Sequence, residues 1–478
     1  MKKIAFILAM LLALTPVLVA CGNKPSGSGI DLGNVSIGDG SGSGSKDDAP
    51  EFTHDHLELD LGGKEFGIFI DKGGAQYLIS EEETGDLVGD AIFQRNIAIE
   101  DKFNLKFNMV EAEVTQPCQE IKNFILADDK TYHMFINVQH NIMPQMILDG
   151  YFVDWNEMEY LDYTKPYWNS RVANDINFGG KVYTMGGDLN LTTYNWTNCI
   201  RFNKNLFDDL GIEYPYQDVY DYTWTADKFN TIVKQGYNDL NGNTTFDIDA
   251  DRLGFTGWGW EMSTAVYIGM GGKPVISDES GLPVLNLNNE KTMKIVDKMI
   301  EIFDGKNGYN NMSSYANVAP PYAEGRCLMQ DTWITGLSIN RDSEFESGLL
   351  PYPMLDEDQG QYNSRAANIA HLCYIPTTNV QLEETGIILE GMSIESYNSV
   401  RPVYYDVTLS LKEAKDEDSL KIVDIILGSS SYMVEGFIGP GQFEMWTKNQ
   451  FNSFTSWIAG SERAYQTQIE KMRTFYGA

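Results

Sequence analysis

The chain has 478 residues, 42% of them hydrophobic, which is more than one compact core usually holds, so we expect two lobes or domains. Acidic residues number 68 against 35 lysines and arginines, and the formal net charge is −33 at pH 7. Such a chain repels nucleic acid and anionic lipid head groups, so its composition argues against both as partners of the folded part.

The N-terminus has the pattern of a bacterial lipoprotein signal. Two lysines at positions 2 and 3 precede an apolar run over residues 4–19, and Leu18-Val19-Ala20 leads directly to Cys21. The run is shorter than the ~20 apolar residues that span a bilayer, so we predict a signal peptide, residues 1–20, that is cleaved. We expect lipidation of Cys21 to be the protein's contact with the membrane. An uncleaved anchor and a plain secretory signal are the alternatives.

The segment after Cys21 is predicted to be a flexible tether, residues 21–55. Its composition is dominated by Gly, Ser and Asp, as in Ser41-Gly42-Ser43-Gly44-Ser45, with too few apolar residues to offset the entropy of ordering. A linker of this kind would hold the folded part on the order of 30 Å from the membrane. The expected location is therefore the outer face of the cell membrane.

Strands and helices alternate along the first part of the folded chain, which predicts an α/β fold with a parallel sheet. The predicted strands are 65–70, 105–110 and 133–138. One predicted helix begins near residue 84, and another covers residues 121–127. Ligands bind beyond the carboxyl ends of such strands. The loops at 71–74 and 139–141 are therefore candidate binding loops, with Asp71, Gln139, His140 and Asn141 as their polar candidates.

The alternation restarts after a predicted crossing near residues 186–197, so we expect a second α/β lobe. Its first elements are a strand at 198–202, a short helix at 204–210 and a helix at 225–236. A helix leading into a strand is predicted over 322–337. Closing helices are predicted at 381–397, 403–414 and 416–427.

An ordered set of short motifs resembles the extracellular solute-binding proteins of family 1, whose best-known relative is maltose-binding protein. The motifs are TGD at 84–86, AIFQRN at 91–96, EDKFN at 100–104, YTKPYW at 163–168, GKVY at 180–183, GD at 187–188, YAEGRCLM at 322–329, PYPMLDE at 351–357, IPTT at 375–378 and YYDVTL at 404–409.

The resemblance implies a two-lobed, periplasmic-binding-protein-like fold with discontinuous lobes, several hinge crossings, and closure around a ligand. By analogy, lobe 1 takes residues 56–190 and 323–372, and lobe 2 takes residues 191–322 and 373–478. It also implies a monomeric receptor that delivers solute to the permease subunits of an ABC importer in a Gram-positive bacterium.

Aromatic residues near predicted strand ends suit a carbohydrate ligand, because sugars present apolar C–H faces and a rim of hydroxyl groups. The candidates are Trp196, Trp258, Trp260 and Trp333, with Asp331 as a polar partner. For each tryptophan the alternative is core packing, to which we assign Trp155, Trp168 and Trp224. Peptides and other small polar solutes remain open.

The segment from residue 239 to 251 resembles an oxygen-rich calcium loop, with ligands at alternate positions and an apolar residue eighth. The candidate ligands are Asp239, Asn241, Asn243 and Asp247. The match is imperfect, because Thr244 stands where such loops have glycine and Ala250 where they have an acid. The expected role is structural, no cofactor being required for binding; an acidic turn without a metal is the alternative.

Four cysteines remain in the folded part, Cys118, Cys199, Cys327 and Cys373, without a CxxC pair. We favour buried free thiols, while the export signal permits disulfides. No HExxH, GxSxG or phosphate-loop motif occurs, so we predict a protein that is not an enzyme. A sensor or adhesion module is the main alternative function. A secreted glycan hydrolase also stays open, because acidic residues are abundant enough to supply a carboxylate pair.

Overall fold

The computed structural model describes residues 51–114, 117–139, 142–303, 310–313, 320–338, 345–409, 417–432, 434 and 453–478. These residues belong to one compact unit. The predicted signal peptide, Cys21 and most of the tether lie outside the described residues. No helix within the described ranges combines the length and apolar content needed to cross a membrane.

The strands in chain order are β1 Lys64–Ile70, β2 Leu105–Glu111, β3 Met134–Val138, β4 Asn198–Asn203, β5 Leu253–Trp258, β6 Val275–Ser277, β7 Pro283–Leu285, β8 Asn310–Ser313, β9 Cys327–Trp333, β10 Ser347–Leu350, β11 Ser364–Ala366, β12 His371–Tyr374 and β13 Ser430–Tyr432.

The α-helices are α1 Leu87–Phe103, α2 Cys118–Leu126, α3 Ile142–Leu148, α4 Ser170–Ile176, α5 Thr192–Asn195, α6 Lys204–Leu210, α7 Tyr216–Tyr220, α8 Ala226–Gly236, α9 Gly259–Gly269, α10 Glu290–Ile302, α11 Leu382–Glu395, α12 Arg401–Leu409, α13 Glu417–Gly428 and α14 Phe454–Tyr476. Short 3₁₀ turns lie at Ala75–Tyr77, Trp155–Glu157, Ile334–Ser338 and Glu357–Gln359, and a π-helical turn at Ser396–Val400 joins α11 to α12.

The first sheet has the strand order β12-β3-β1-β2. β1 runs parallel to β2 and β3, and all five of its residues from Phe66 to Ile70 are buried, as expected for a strand covered on both faces. α1 connects β1 to β2: the Asp86 carboxylate accepts a hydrogen bond from the Gly89 amide at its start, and Asn104 ends it in the left-handed conformation. The predicted α/β order of this region is confirmed.

The second sheet has the order β10-β4-β9-β5-β8. β5 is parallel to β8 and β9, whereas β4 is antiparallel to β9 and β10. This sheet is therefore mixed, and β12 adds an antiparallel edge to the first sheet. The sequence predicted a parallel sheet for the first part of the folded chain, and β1, β2 and β3 have that arrangement, whereas β12 and β4 each enter their sheet from the opposite direction after a crossing.

The strand pairing corrects part of the predicted lobe boundaries. Residues 323–372 were assigned to lobe 1, but β9 and β10 pair with β4 in the second sheet. Residues 373–478 were assigned to lobe 2, but β12 pairs with β3 and α11 packs on α1. The chain thus returns to the first sheet only at about residue 371, because the segment before it completes the second sheet.

Two crossings between the sheets lie side by side. The first is the segment before β4, and the second is the segment between β11 and β12. Thr197 and Ala366 form an isolated antiparallel bridge, and the Ala367 amide donates to the Trp196 carbonyl at 2.9 Å. The predicted crossing that includes Trp196 therefore contacts a second one, which lies close to the change of lobe that the resemblance implied between residues 372 and 373.

Candidate functional site

Three of the predicted tryptophans lie together at one edge of the second sheet, where Trp333 contacts both Trp196 and Trp258. The ring of Trp333 lies 5.4 Å from that of Trp196 and 6.3 Å from that of Trp258, centroid to centroid, and both pairs are edge-to-face. All three side chains are half-buried. We call Trp196, Trp258 and Trp333 the tryptophan cluster. The sequence proposed these residues separately, and the fold brings them together.

The sheet topology explains why the cluster forms. β5 ends at Trp258 and β9 ends at Trp333, and these two strands are parallel, so their carboxyl ends share an edge. β4 is antiparallel to β9 and begins beside that same edge, with Asn198 opposite Trp333. Trp196 lies two residues before Asn198, the first residue of β4. The cluster therefore occupies the position where ligands of α/β sheets usually bind.

A buried carboxyl group supports the cluster from inside the sheet. Asp331, two residues before Trp333, accepts hydrogen bonds from the Tyr352 hydroxyl at 2.5 Å and from Asn198 Nδ2 at 3.1 Å. Burial raises the pKa of Asp331 to about 7, with a further rise from the negative charge of Glu261 and a partial offset from those hydrogen bonds. Near neutral pH this side chain is therefore close to an even mixture of its two protonation states.

A buried ion pair lies next to this carboxyl group. Glu261 in α9 pairs with Arg365 in β11, and the same guanidinium donates to the Asn198 side-chain oxygen at 3.2 Å. Both charged side chains are nearly inaccessible. Burial raises the pKa of Glu261, and Arg365 opposes that rise. Asn198 thus links the ion pair to Asp331, so the start of β4 is connected to side chains from β9, β11 and α9.

The predicted polar residue of the first sheet, Asp71, is also buried. Its Oδ1 lies 2.8 Å from His371 Nε2 and accepts a hydrogen bond from the Gly73 amide at 2.8 Å. The His371 ring lies against Gly74, where an added Cβ would approach the ring to 2.8 Å. Glycine is therefore needed in this turn to admit the histidine. Asp71 therefore connects the loop that follows β1 to the first residue of β12, and its contacts in this structure are structural.

Gln139 lies at the junction of the two sheets. The Ala370 amide donates to the Ala367 carbonyl, which closes a β-turn, and the Ala370 carbonyl in turn accepts from the Gln139 amide at 3.0 Å. Trp196 is bonded to the other end of the turn, at Ala367. Because a β-turn spans less than about 7 Å, the ends of β3 and the tryptophan cluster approach one another here. The two halves of the predicted site thus meet at the second crossing.

The remaining candidates fall elsewhere. His140, Asn141 and the side chain of Trp260 lie outside the described residues. The core assignments of Trp155, Trp168 and Trp224 agree with their burial, and the four cysteines of the folded part are buried thiols that form no disulfide with one another. The candidate metal ligands Asp239, Asn241, Asn243 and Asp247 lie in the loop between α8 and β5.

Sequence reasoning missed the polar residues that support the cluster, and it missed the partner of Asp71. The first are Asn198, Glu261, Tyr352 and Arg365, and the second is His371. Nothing in the sequence pairs Glu261 with Arg365, which lie 104 positions apart. Position at a strand end, the signal that selected Trp333, would have selected Asn198 at the start of β4.

The arrangement suits reversible binding. Partly exposed aromatic rings offer flat apolar surfaces, and the adjoining buried polar groups hold those rings in place through the main chain of β4 and β9. The network holds its carboxyl groups in hydrogen bonds or ion pairs with neighbouring side chains, an arrangement that fixes geometry.

No family model matches the chain, and no curated protein matches it. Solved structures do. The galacto-N-biose-/lacto-N-biose I-binding protein of an ABC transporter from Bifidobacterium longum is 11% identical, with a TM-score of 0.55, covering 88% of this chain and 99% of that one. A sugar transporter protein from Rhizobium etli, in an open conformation, is 13% identical with a TM-score of 0.53 over 87% and 99%.

An ABC substrate-binding protein from Listeria monocytogenes, in complex with cycloalternan, is 14% identical, with a TM-score of 0.50 over 87% of this chain and 99% of that one. The likeness extends over nearly the whole length of each of these proteins, and it agrees with the two sheets and paired crossings described above. The chain therefore has the two-lobed, periplasmic-binding-protein-like α/β fold of ABC solute-binding proteins.

Proposed function

We propose that this protein is the extracellular solute-binding receptor of an ABC importer, anchored to the membrane through Cys21, and that its solute is a carbohydrate. The observation that carries the proposal is the tryptophan cluster, which lies at the carboxyl ends of β5 and β9 beside both inter-sheet crossings. Ligand at this position would contact the part of the chain that has to move when two lobes close.

The chemistry of the cluster favours a sugar. Stacking of C–H faces on tryptophan needs large, flat and partly exposed rings, and half-buried tryptophans meet that requirement. An inorganic ion offers no such face, and among free amino acids the aromatic ones alone offer a flat ring. The peptide alternative is weaker, because peptide binding by main-chain pairing needs an open strand edge, and the cluster lies at strand ends.

The structural neighbours support the same class of solute. The Bifidobacterium longum protein is in complex with lacto-N-biose, and the Listeria monocytogenes protein with cycloalternan. Both are components of ABC systems by their descriptions. We extend that role to this chain, with permease subunits as its partners and a monomer as its working form.

The test is a binding screen on a soluble form, residues 22–478, which retains every described residue. Thermal unfolding is followed with mono- and oligosaccharides, peptides and polyols, and hits are measured by calorimetry. A ligand present at a hundred times its dissociation constant should raise the free energy of unfolding by about 2.7 kcal/mol. A saturable shift with one class of glycan supports the proposal. Shifts with peptides alone would contradict the carbohydrate assignment.

The ligand is then recovered and analysed. An intact glycan agrees with a receptor, whereas cleavage would favour the hydrolase alternative. Uptake of the labelled glycan by cells that produce the full chain, compared with cells that produce Cys21→Ser, tests the anchor and the transport role together. Strong binding without any uptake would favour the sensor alternative.

A further inference from the structure

The loop between α8 and β5 has a conformation that the solute site does not explain. It runs from Asp239 to Asp251, and the Asn238 and Arg252 main chains pair at its base at 3.0 Å. Oxygen-bearing side chains occur at its first, third, fifth, seventh, ninth and thirteenth positions, which are Asp239, Asn241, Asn243, Thr245, Asp247 and Asp251.

The side-chain oxygens of the loop accept hydrogen bonds from amides further along it. Asp239 accepts from Gly242 and Thr244, each at 2.7 Å, and Asn243 accepts from Thr245 at 2.7 Å. Thr244 has a φ of +61°, the left-handed conformation that calcium loops place at their sixth position and usually give to glycine. The imperfect match in sequence is therefore a close match in backbone.

The buried side chain of Asp251 is a second, independent indication that the loop binds a cation. Its side chain is fully buried, and Oδ2 accepts from the Asp247 amide at 2.9 Å and from the Tyr237 hydroxyl at 3.3 Å. Oδ1 is equally buried and has no hydrogen-bond partner. A carboxylate oxygen without a partner is costly to bury, and this one belongs to a side chain bonded into the ninth position of the loop. A cation would satisfy it.

We propose that this loop binds one calcium ion. Asp239, Asn241, Asn243 and Asp247 are the side-chain ligands, the Thr245 carbonyl supplies a main-chain oxygen, and Asp251 replaces the acid of the twelfth position from one residue later. Among the described residues no three acidic, histidine or cysteine side chains already form a metal cluster. Calcium loops use amide and main-chain oxygens as well as carboxylates, and their ninth-position side chain often acts through a water, so Asp239 and Asp251 are the two acids that need to reach the ion directly.

The ion would act on the solute site at a distance. Arg326, which precedes β9, donates to the carbonyls of Ile248 at 3.1 Å and Asp251 at 2.7 Å. The loop leads within two residues into β5, which ends at Trp258. Calcium would therefore fix the connection between the two strands that carry Trp258 and Trp333, and its role would be structural.

The experiment uses residues 22–478 without any solute, so that its result is independent of the proposed receptor function. After treatment with EGTA and its removal, terbium luminescence is titrated and calcium is used to displace the terbium, with magnesium as the comparison ion. We expect one saturable site, with a calcium dissociation constant of about 1 mM or tighter, the range of extracellular modules or better. Adding calcium to the EGTA-treated protein should raise its melting temperature, and adding buffer alone should not.

Two variants locate the site. Asp239→Asn and Asp247→Asn each remove a charged ligand and should weaken calcium binding about tenfold or more, because affinity follows the number of charged ligands. Asp249→Asn is the matched control: it removes the same charge from an exposed side chain between the proposed ligands, and it should leave the affinity within about twofold. Circular dichroism confirms that all three variants fold.

Three results would overturn the proposal. One is the absence of saturable binding up to 10 mM calcium, a concentration about tenfold above the weak end of the expected range. The second is that magnesium displaces terbium and raises the melting temperature as much as calcium does, which would indicate that divalent cations only screen the negative charge of the chain. The third is equal weakening in all three variants, which would indicate diffuse charge. Failure of the sugar screen would leave each of these outcomes unaffected.

Discussion

At the scale of single residues, the central feature is that Trp333 contacts two other tryptophans while all three side chains stay half-buried. Edge-to-face packing holds the rings in fixed relation, which lowers the entropy lost when a ligand orders them. Trp333 is the middle member because it contacts both others. It is therefore the residue whose loss should disturb the cluster most.

We expect Trp333→Ala to weaken binding of the glycan found in the screen about 5- to 150-fold, since a stacked aromatic contributes on the order of 1–3 kcal/mol. Trp457→Ala is the matched control, because Trp457 is also half-buried but packs on Phe454 and Tyr465 in α14. Calorimetry measures both. An unchanged affinity in Trp333→Ala, with the fold intact, would remove that residue from the site.

Asp331 should make stability depend on pH. Its pKa in the folded chain, about 7, lies above the usual value near 3.8, so folding favours the protonated form. The free energy of unfolding of the wild type should therefore fall, relative to that of Asp331→Asn, as the pH rises from about 4 to about 7, and the gap should stay constant above that range. Asparagine keeps an oxygen for Tyr352 and Asn198.

Urea unfolding of both proteins between pH 4 and pH 8 measures this gap, which we expect to reach on the order of a few kcal/mol at most. A difference that does not change with pH would show that the Asp331 carboxyl titrates normally.

The Glu261–Arg365 pair should behave as one unit. Arg365→Met leaves a buried carboxyl group without its partner and should cost about 3–5 kcal/mol of unfolding free energy. Adding Glu261→Gln removes the stranded charge, so the double variant should be more stable than the sum of the two single changes predicts. Urea unfolding of the wild type, the two single variants and the double variant gives the coupling free energy between the two side chains. Strict additivity would mean that the two charges do not interact.

At the scale of elements, local sequence pattern located most of the secondary structure in the first 236 residues of the chain. Local pattern predicted a strand at 65–70, which is β1, and a helix that begins near residue 84, which is α1. These signals are local, since a strand face and a helix cap are both encoded within a few residues. β5 and β11 were not predicted, because short or uniformly buried segments have little periodicity. α14 was also missed, although its buried residues follow a helical spacing.

What the sequence did not indicate is which strands pair. β9 lies 124 residues after the end of β4 and still pairs with it, so its position in the chain suggests the wrong lobe. The same distinction between local position and long-range pairing applies to the candidate site. Trp196, Trp258 and Trp333 were selected by their local positions at strand ends, whereas their contact, and the support from Arg365, depend on long-range pairing that no local pattern encodes.

The end of β5 should be sensitive to added volume. A Cβ at Gly257 would lie 2.2 Å from Met262 Sδ and 2.8 Å from Asp331 Cβ. We expect Gly257→Ala to cost about 1–3 kcal/mol by overpacking and to weaken solute binding by displacing Trp258. Gly460→Ala in α14 meets open space and should be neutral or stabilise by up to about 1 kcal/mol. Equal effects on stability would contradict this account of β5.

At the scale of the whole molecule, the two sheets each have their own strand order and are connected by adjacent crossings. The hydrogen bonds at Ala367 and Ala370 tie both crossings to the ends of β3 and β4. A rotation between the sheets would be absorbed by these few residues, as in other hinge proteins. Ligand bound between the tryptophan cluster and the β3 end would favour the closed arrangement by binding it more tightly than the open one.

Small-angle X-ray scattering tests this mechanism directly. Saturating glycan should reduce the radius of gyration of residues 22–478, because both lobes then contact one ligand. Calcium should leave the radius of gyration unchanged, since the Asp239–Asp251 loop connects elements of the second sheet alone. The same two ligands should both raise thermal stability, so scattering separates closure from local ordering. A glycan that stabilises the protein without reducing its dimensions would show that binding does not close the lobes, and the hinge role of the two crossings would then have to be abandoned.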